Sequence, residues 1–192
     1  MKNVVKTTLA AALVLGGAMS VAQAEETTTT GANDGTVTFV GKIVESPCSI
    51  KIGDENQTIS LGENLGTASL KAGLTQKVDF DIELVNCVFD AESNMSIVFN
   101  ANGNESTSHT GNLALMGAGG EMKGSYIVMA DSKGTELRLG TASTQAMTKD
   151  TAGKALADQT LRFKAWVQGD TTAQTVDTGE FSSMTSFQIT YL

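Results

Sequence analysis

The feature that most constrains this chain is a strict alternation of apolar and polar side chains, repeated in segments too short for anything but strands. Val78, Phe80, Ile82 and Leu84 alternate with Lys77, Asp79, Asp81 and Glu83, and Leu161, Phe163, Ala165 and Val167 alternate with Thr160, Arg162, Lys164 and Trp166. Successive side chains of a strand point to opposite faces, so a period of two marks a sheet with one face buried. Weaker alternation over 37–44, 50–52, 58–61, 95–99, 126–130 and 136–139 predicts further strands. Separators rich in Gly, Asn and Ser at 100–112 and 117–124 predict the turns between them. Beyond residue 24 no segment sustains a 3.6-residue period with caps. Seven or more short strands with frequent turns point to an all-β fold, an antiparallel sandwich.

The first 24 residues are expected to be an address and to stand outside that fold. Lys2 and Lys6 give a positive start, Leu9 to Ala18 is nearly all apolar, and Ala22-Gln23-Ala24 places small residues where a signal peptidase cuts. The apolar run is roughly ten residues, against the about 20 needed to span a bilayer. The reading is a signal peptide over 1–24, a mature chain from Glu25, and no membrane insertion after cleavage. The net charge of the whole chain is −8. Removing a segment that carries two lysines and no acid makes the remainder more acidic still. Such a surface repels phosphate backbones and anionic headgroups, so no nucleic-acid or membrane-surface partner is expected.

Cys48 and Cys87 are the 2 cysteines. In a chain routed to an oxidising compartment they favour a disulfide with each other. Redox or metal chemistry is the rival, but there is no Cys-x-x-Cys, and two thiols with one distant histidine make a poor zinc site. That histidine, His109, lies in a polar stretch and reads as a surface loop residue. Gly117-Ala118-Gly119-Gly120 is no dinucleotide fingerprint, because Met122 stands where the last glycine should be. Asp79 and Asp81 share a strand face that is more simply solvated than catalytic. No enzyme, metal or cofactor is expected. Trp166 lies opposite the apolar face of its strand, where a half-covered position beside Arg162 and Lys164 is expected.

The two ends of the mature chain differ. From Gly179 to Leu192 the chain reads as one long strand with Gly179, Phe181, Ser183, Thr185, Phe187, Ile189 and Tyr191 on one face. Such a strand needs neighbours on both sides or becomes an exposed edge, an aggregation hazard. Glu25 to Gly35 is polar, with four successive threonines, and by composition alone is an ordinary terminus.

Together these motifs resemble the pilins of the chaperone–usher pathway, the type 1 fimbrial major-subunit family above all. Tyr191 stands next to last with Gly179 twelve positions before it, Pro47-Cys48-Ser49-Ile50 resembles the first-cysteine motif, and Gly35-Thr36-Val37-Thr38-Phe39-Val40-Gly41 is similar to the segment joining a donor extension to the first strand. The resemblance implies an incomplete immunoglobulin-like antiparallel β-sandwich completed by a donor strand from a neighbouring subunit. It divides the chain into a signal peptide (1–24), an N-terminal donor-strand extension (25–35) and a pilin domain (36–192).

Gly179, Phe181, Phe187, Ile189 and Tyr191 would then form the groove that takes a chaperone or donor strand, Gly179 by letting a neighbour approach where a Cβ would clash. Thr29, Gly31, Asn33, Gly35 and Val37 would form the donor face, in which bulky side chains are scarce and backbone pairing supplies much of the binding. The implied partners are a periplasmic pilus chaperone, an outer-membrane usher and neighbouring pilin subunits in a homopolymer. The implied setting is an extracellular fimbria supporting cell adhesion. A minor adaptor or an adhesive subunit contacting a receptor is the alternative, and a secreted monomeric immunoglobulin-like domain a third possibility.

Overall fold

The computed structural model describes residues 35–192, and the chain divides into two units along the sequence, the second beginning at Val44. Of the first unit, residues 35–43 are described: none belongs to a helix or strand, and all are exposed. The strand expected over 37–44 is therefore not formed. Alternation reports that one face wants burial; it does not supply a ladder partner.

The second unit is nearly all β. Its strands are β1 (Ser49–Ile50), β2 (Val78–Val85), β3 (Asn94–Asn100), β4 (Leu113–Gly117), β5 (Gly120–Asp131), β6 (Glu136–Leu137), β7 (Ala142–Ala146), β8 (Gln159–Gly169) and β9 (Ser186–Tyr191), with a 3-10 turn (Asp54–Asn56) and a short α-helix α1 (Thr67–Lys71). The first sheet runs β1-β2-β8-β5-β4 with β6 paired to β5, and the second runs β7-β3-β9. Every pairing is antiparallel.

The β2–β8 ladder shows how the sequence makes the layers. Phe80 stands opposite Phe163 and Ile82 opposite Leu161 on the inner face, while Asp79 faces Lys164 and Asp81 faces Arg162 on the outer. Both outer pairs form ion pairs, Arg162 to Asp81 at 3.9 Å. Ile82, Leu84, Leu161 and Phe163 from the first sheet pack on Met95, Ile97 and Phe99 from the second, all nearly fully buried. The Cys48–Cys87 disulfide joins the start of β1 to the end of β2, with Cα atoms 4.1 Å apart.

Several elements differ from the sequence reading. The turn expected over 117–124 is confined to Gly117–Gly120, because Gly120 takes φ +105° there and β5 begins at once. Strands β4 and β7 and helix α1 were not anticipated: β4 is too uniformly apolar and β7 too polar to alternate visibly. Helix α1 lies so close on β8 that a Cβ at Gly169 would stand 2.1 Å from the Leu70 carbonyl oxygen. Trp166 is buried, not half-covered: it packs with Val128 and Ala130 in a second small cluster beside Tyr126. Its ring lies under the Lys77 ammonium at 4.2 Å, and its Nε1–H donates to Gln168 Oε1 at 3.0 Å.

The long C-terminal strand is also divided. Ser182 exchanges both backbone hydrogen bonds with Met116 of β4, at 3.0 Å each, and regular pairing with β3 begins only at Ser186. The C-terminal segment therefore passes from the edge of one sheet to the edge of the other, because β3 ends at Asn100 and offers nothing further to pair with.

The disulfide closes a loop of 39 residues. Replacing Cys48 and Cys87 together by serine should lower the stability of the subunit by about 4 kcal/mol in the chain-entropy treatment, read as an earlier midpoint in urea melting. A midpoint unchanged from the oxidised protein would contradict this.

Candidate functional site

β9 is the last strand of its sheet, and its outer edge is open. Asn94 and Leu192 exchange both backbone hydrogen bonds at one end of the β3–β9 ladder, 3.0 and 2.9 Å. Antiparallel bonding alternates from there, so Ser186, Gln188 and Thr190 turn their N–H and C=O groups toward β3. Phe187, Ile189 and Tyr191 turn theirs outward, and no described residue pairs with them. Their side chains point inward: from Phe181 to Tyr191 every odd-numbered residue is half-buried and every even-numbered one exposed.

Across from this edge lies the extended segment 57–61. Ile59 and Leu61 are half-buried and alternate with exposed neighbours. Among the described residues its backbone makes no hydrogen bond to other backbone; only the Gln57 side chain reaches out, to the Asp81 carbonyl at 2.6 Å. Between the two walls is a cleft of about 600 Å³ whose floor is the core itself: Phe80, Ile82, Phe99, Leu113, Ile127 and Met129. Phe80 lies 6.5 Å from Phe99, and Phe99 lies 6.3 Å from Phe187, so the rings make a continuous apolar lining. An unpaired strand edge and an unpaired segment flanking an apolar cleft can accept one thing well, an extended chain that supplies backbone partners and apolar side chains together.

The cleft takes in only part of the set named from sequence. Phe187 lines it. Phe181, Ile189 and Tyr191 are half-buried on the same face and pack against the core. Gly179 lies outside the cleft lining, and nothing stands within 4 Å of the place its Cβ would occupy. What demands glycine there is a φ of +139°, not a close neighbour. Of the donor face, Gly35 and Val37 are exposed, while Thr29, Gly31 and Asn33 lie outside the described residues. Ile59, Leu61, Phe80 and Phe99 were missed as cleft residues. The alternation at 58–61 was visible, but no residue type marks a wall that lacks its neighbour.

The rim is held by polar contacts. Tyr191 packs at a tilt against Phe89, with ring centroids 6.1 Å apart, and burial raises its phenol pKa, partly offset by a hydrogen bond with Ser46. The loop 100–112 is tied to the cleft edge by Asn104, whose Nδ2–H donates to the Met184 carbonyl at 2.9 Å. Glu121 organises that loop by accepting from Ser106 Oγ, Thr107 Oγ1 and Thr107 N at 2.8, 2.7 and 3.0 Å. Burial opposes the Glu121 charge, but the Thr107 and Ser106 bonds and the nearby His109 outweigh it and hold the carboxyl below its usual range. His109 is packed rather than free: its ring stacks on Tyr126 at 3.8 Å, and its Nε2 lies 3.7 Å from Asp170.

A two-sheet sandwich with an open flank and an unpaired terminal strand defines a protein of the incomplete immunoglobulin-like class. The chain belongs to the fimbrial protein family, whose model matches residues 37–192. It is 38% identical over 197 residues to an uncharacterized fimbrial-like protein of Escherichia coli K12, with all of both chains covered. It is 35% identical to the major MR/P fimbria protein of Proteus mirabilis, over 94% of this chain and 96% of that one. Its fold is that of chaperone–usher pilus subunits. A structure of such a pilus, described as revealing the basis of rod uncoiling, superposes with a TM-score of 0.68 at 27% identity, covering 85% of this chain and 99% of the other. The P pilus rod subunit PapA superposes at 0.62 with 25% identity, covering 77% and 100%.

The lowered pKa of Glu121 carries a pH dependence. A carboxyl lower in the folded than in the unfolded state stabilises fully above the unfolded value and loses that contribution as pH falls through the folded one. Melting temperature should therefore drop on acidification below the ordinary value of 4.5. In Glu121→Gln that part of the drop should be missing, and an acid limb identical to wild type would contradict the assignment.

Proposed function

We propose that this fimbrial subunit polymerises by donor-strand exchange, each copy filling the cleft of the next with its own N-terminal extension. The observation that carries the reading is a matched pair of deficits. The body has a cleft lacking a strand, and the segment leading into it has apolar residues lacking a body. Val37 is 75% and Phe39 90% exposed, in a stretch that forms no strand of its own.

The donor-strand extension is residues 25–35, and its alternating face of Thr29, Gly31, Asn33, Gly35 and Val37 runs past that boundary into the start of the pilin domain, reaching Phe39 at the same parity. Burying Val37 and Phe39 adds about 3–6 kcal/mol together, comparable with the backbone ladder at about 0.5–1.5 kcal/mol per bond. The bulky residues lie at the C-terminal end of this donor, and the open volume lies toward Ser183–Phe187. Matching bulk to space sets the donor antiparallel to β9.

The remaining steps follow from the same need. Residues 1–24 direct the chain out of the cytoplasm, and residues 36–192 fold as the pilin domain. A periplasmic chaperone completes the cleft until, at an outer-membrane usher, the extension of another copy replaces its strand. Such pairing is head-to-tail and does not close, so it propagates as a filament on the cell surface. The likeness to a major fimbrial protein over 94% of the chain supports a shaft subunit, present in many copies and supporting adhesion as the body of the fibre.

A subunit lacking residues 25–41 should accept a synthetic peptide of residues 27–41 and melt cooperatively only with it bound, yet add nothing to a growing fibre. Substituting Val37 and Phe39 in the peptide by serine should weaken binding by about 100-fold or more. Equal affinity of the two peptides would sink the donor assignment, as would fibres of normal length from the deletion.

A further inference from the structure

The N-terminal segment leaves the sandwich at a fixed place. Cys48 is bonded to Cys87, and the Val88 N–H donates to the Pro47 carbonyl at 2.8 Å, so the chain departs beside Val88. At that exit lies a second cleft, of about 750 Å³ and apart from the one already described, with Val88, Phe89, Ala155 and Leu156 in its lining. The hairpin 149–155 walls one side of it, closed by the Lys149–Ala155 bridge and by Asp150, whose Oδ1 accepts from Ala152 N and Lys154 N at 2.9 Å each. Val88 is 77% exposed, and Leu156 is exposed beside it. A third exposed apolar side chain, Met184 at 63%, stands on the rim of the first cleft. Its backbone is held on both sides: Asn104 donates to its carbonyl, and Ser182 exchanges bonds with Met116.

We infer that the exit cleft of each subunit seats Met184 of the subunit that receives its extension. The covalent chain says which surface covers the cleft. A donor lying antiparallel to β9 ends at Ser183–Phe187, so the donating body emerges at the Met184 end of its acceptor with its exit face foremost. From Phe39 to Cys48 the chain spans about 30 Å at most, which keeps the two surfaces together. Met184 of the same subunit does not serve. Ser93 lines the exit cleft and bonds Leu192, which places that cleft at the far end of β9, eight residues and roughly 25 Å from Met184.

The tether also settles how small the contact can be. A free interface needs about 800 Å² per partner, but a surface already tied to its partner meets it at an effective concentration in the millimolar range. One unbranched thioether side chain filling an irregular apolar cleft then suffices. Charge does not oppose the approach. The exit cleft carries Asp90 and Glu92 against Lys149 and Lys154, while Ser182, Ser183, Thr185 and Ser186 around Met184 are uncharged. The contact fixes the angle between consecutive subunits, which residues 40–47 alone would leave to swivel.

This inference rests on the donor-strand reading and its antiparallel direction, and the test separates it from that reading. Oxidised fibres of Leu156→Cys/Met184→Cys, boiled in guanidinium to strip the donor strands, should run as a covalent ladder. Those of Leu156→Cys/Thr144→Cys, whose second thiol is exposed on β7, should run as single subunits. In the subunit lacking residues 25–41, Val88→Asp/Leu156→Asp should bind the 27–41 peptide as tightly as the parent, because neither residue lines the donor cleft. Fibres of the full chain with those two substitutions should come apart about tenfold faster on heating. A ladder no stronger than the control, or substituted fibres as durable as wild type, would overturn the inference and leave donor-strand exchange standing. Failure of the peptide to bind the parent subunit would remove both.

Discussion

The outward N–H and C=O groups of Phe187, Ile189 and Tyr191 are the constraint on which the rest of the molecule turns. A buried backbone group without a partner costs more than a typical hydrogen bond gives back, so a strand edge is either paired, exposed or covered. Here the edge borders an apolar cleft that opens directly onto Phe80, Ile82 and Phe99. Water satisfies the backbone but leaves the apolar lining of the cleft without a packing partner; an apolar cover does the reverse. A further strand satisfies both, and the proposed donor-strand exchange supplies one.

The remaining architecture keeps that flank open while securing the others. The C-terminal segment bridges the sheets, bonded to β4 through Ser182 and to β3 from Ser186 onward, and so closes one side of the sandwich. The disulfide fixes the start of β1 to the end of β2. Glu121 braces the loop whose Asn104 holds the Met184 carbonyl at the cleft edge. Val37 and Phe39 are exposed apolar residues, and in the proposed exchange they supply what the cleft lacks.

The sequence made the layers legible because β2 and β8 alternate without interruption, and their register pairs Phe80 with Phe163 and Asp79 with Lys164 as alternation demands. It was less informative where physical cause lies outside local pattern. Apolar β4 and polar β7 have no period to read. The break at Ser186 is set by where β3 ends, a fact of tertiary pairing. Trp166 sits on the formally outer face yet is buried, since Val128, Ala130 and Tyr126 pack around it and the Lys77 ammonium lies over its ring. At the cleft, the β9 face was visible in the spacing of Phe187, Ile189 and Tyr191. The opposing wall at Ile59 and Leu61 was not, because a missing neighbour leaves no mark in composition.

The most direct test of the account is amide hydrogen exchange along β9 in the monomeric subunit and in the assembled fibre. The account predicts that Gln188 and Thr190 are protected in both, while Phe187, Ile189 and Tyr191 exchange rapidly in the monomer and become protected in the fibre. Protection of those three odd-numbered amides in the monomer, with no other chain present, would mean that the edge is already paired and would contradict the claim that the fold lacks a strand.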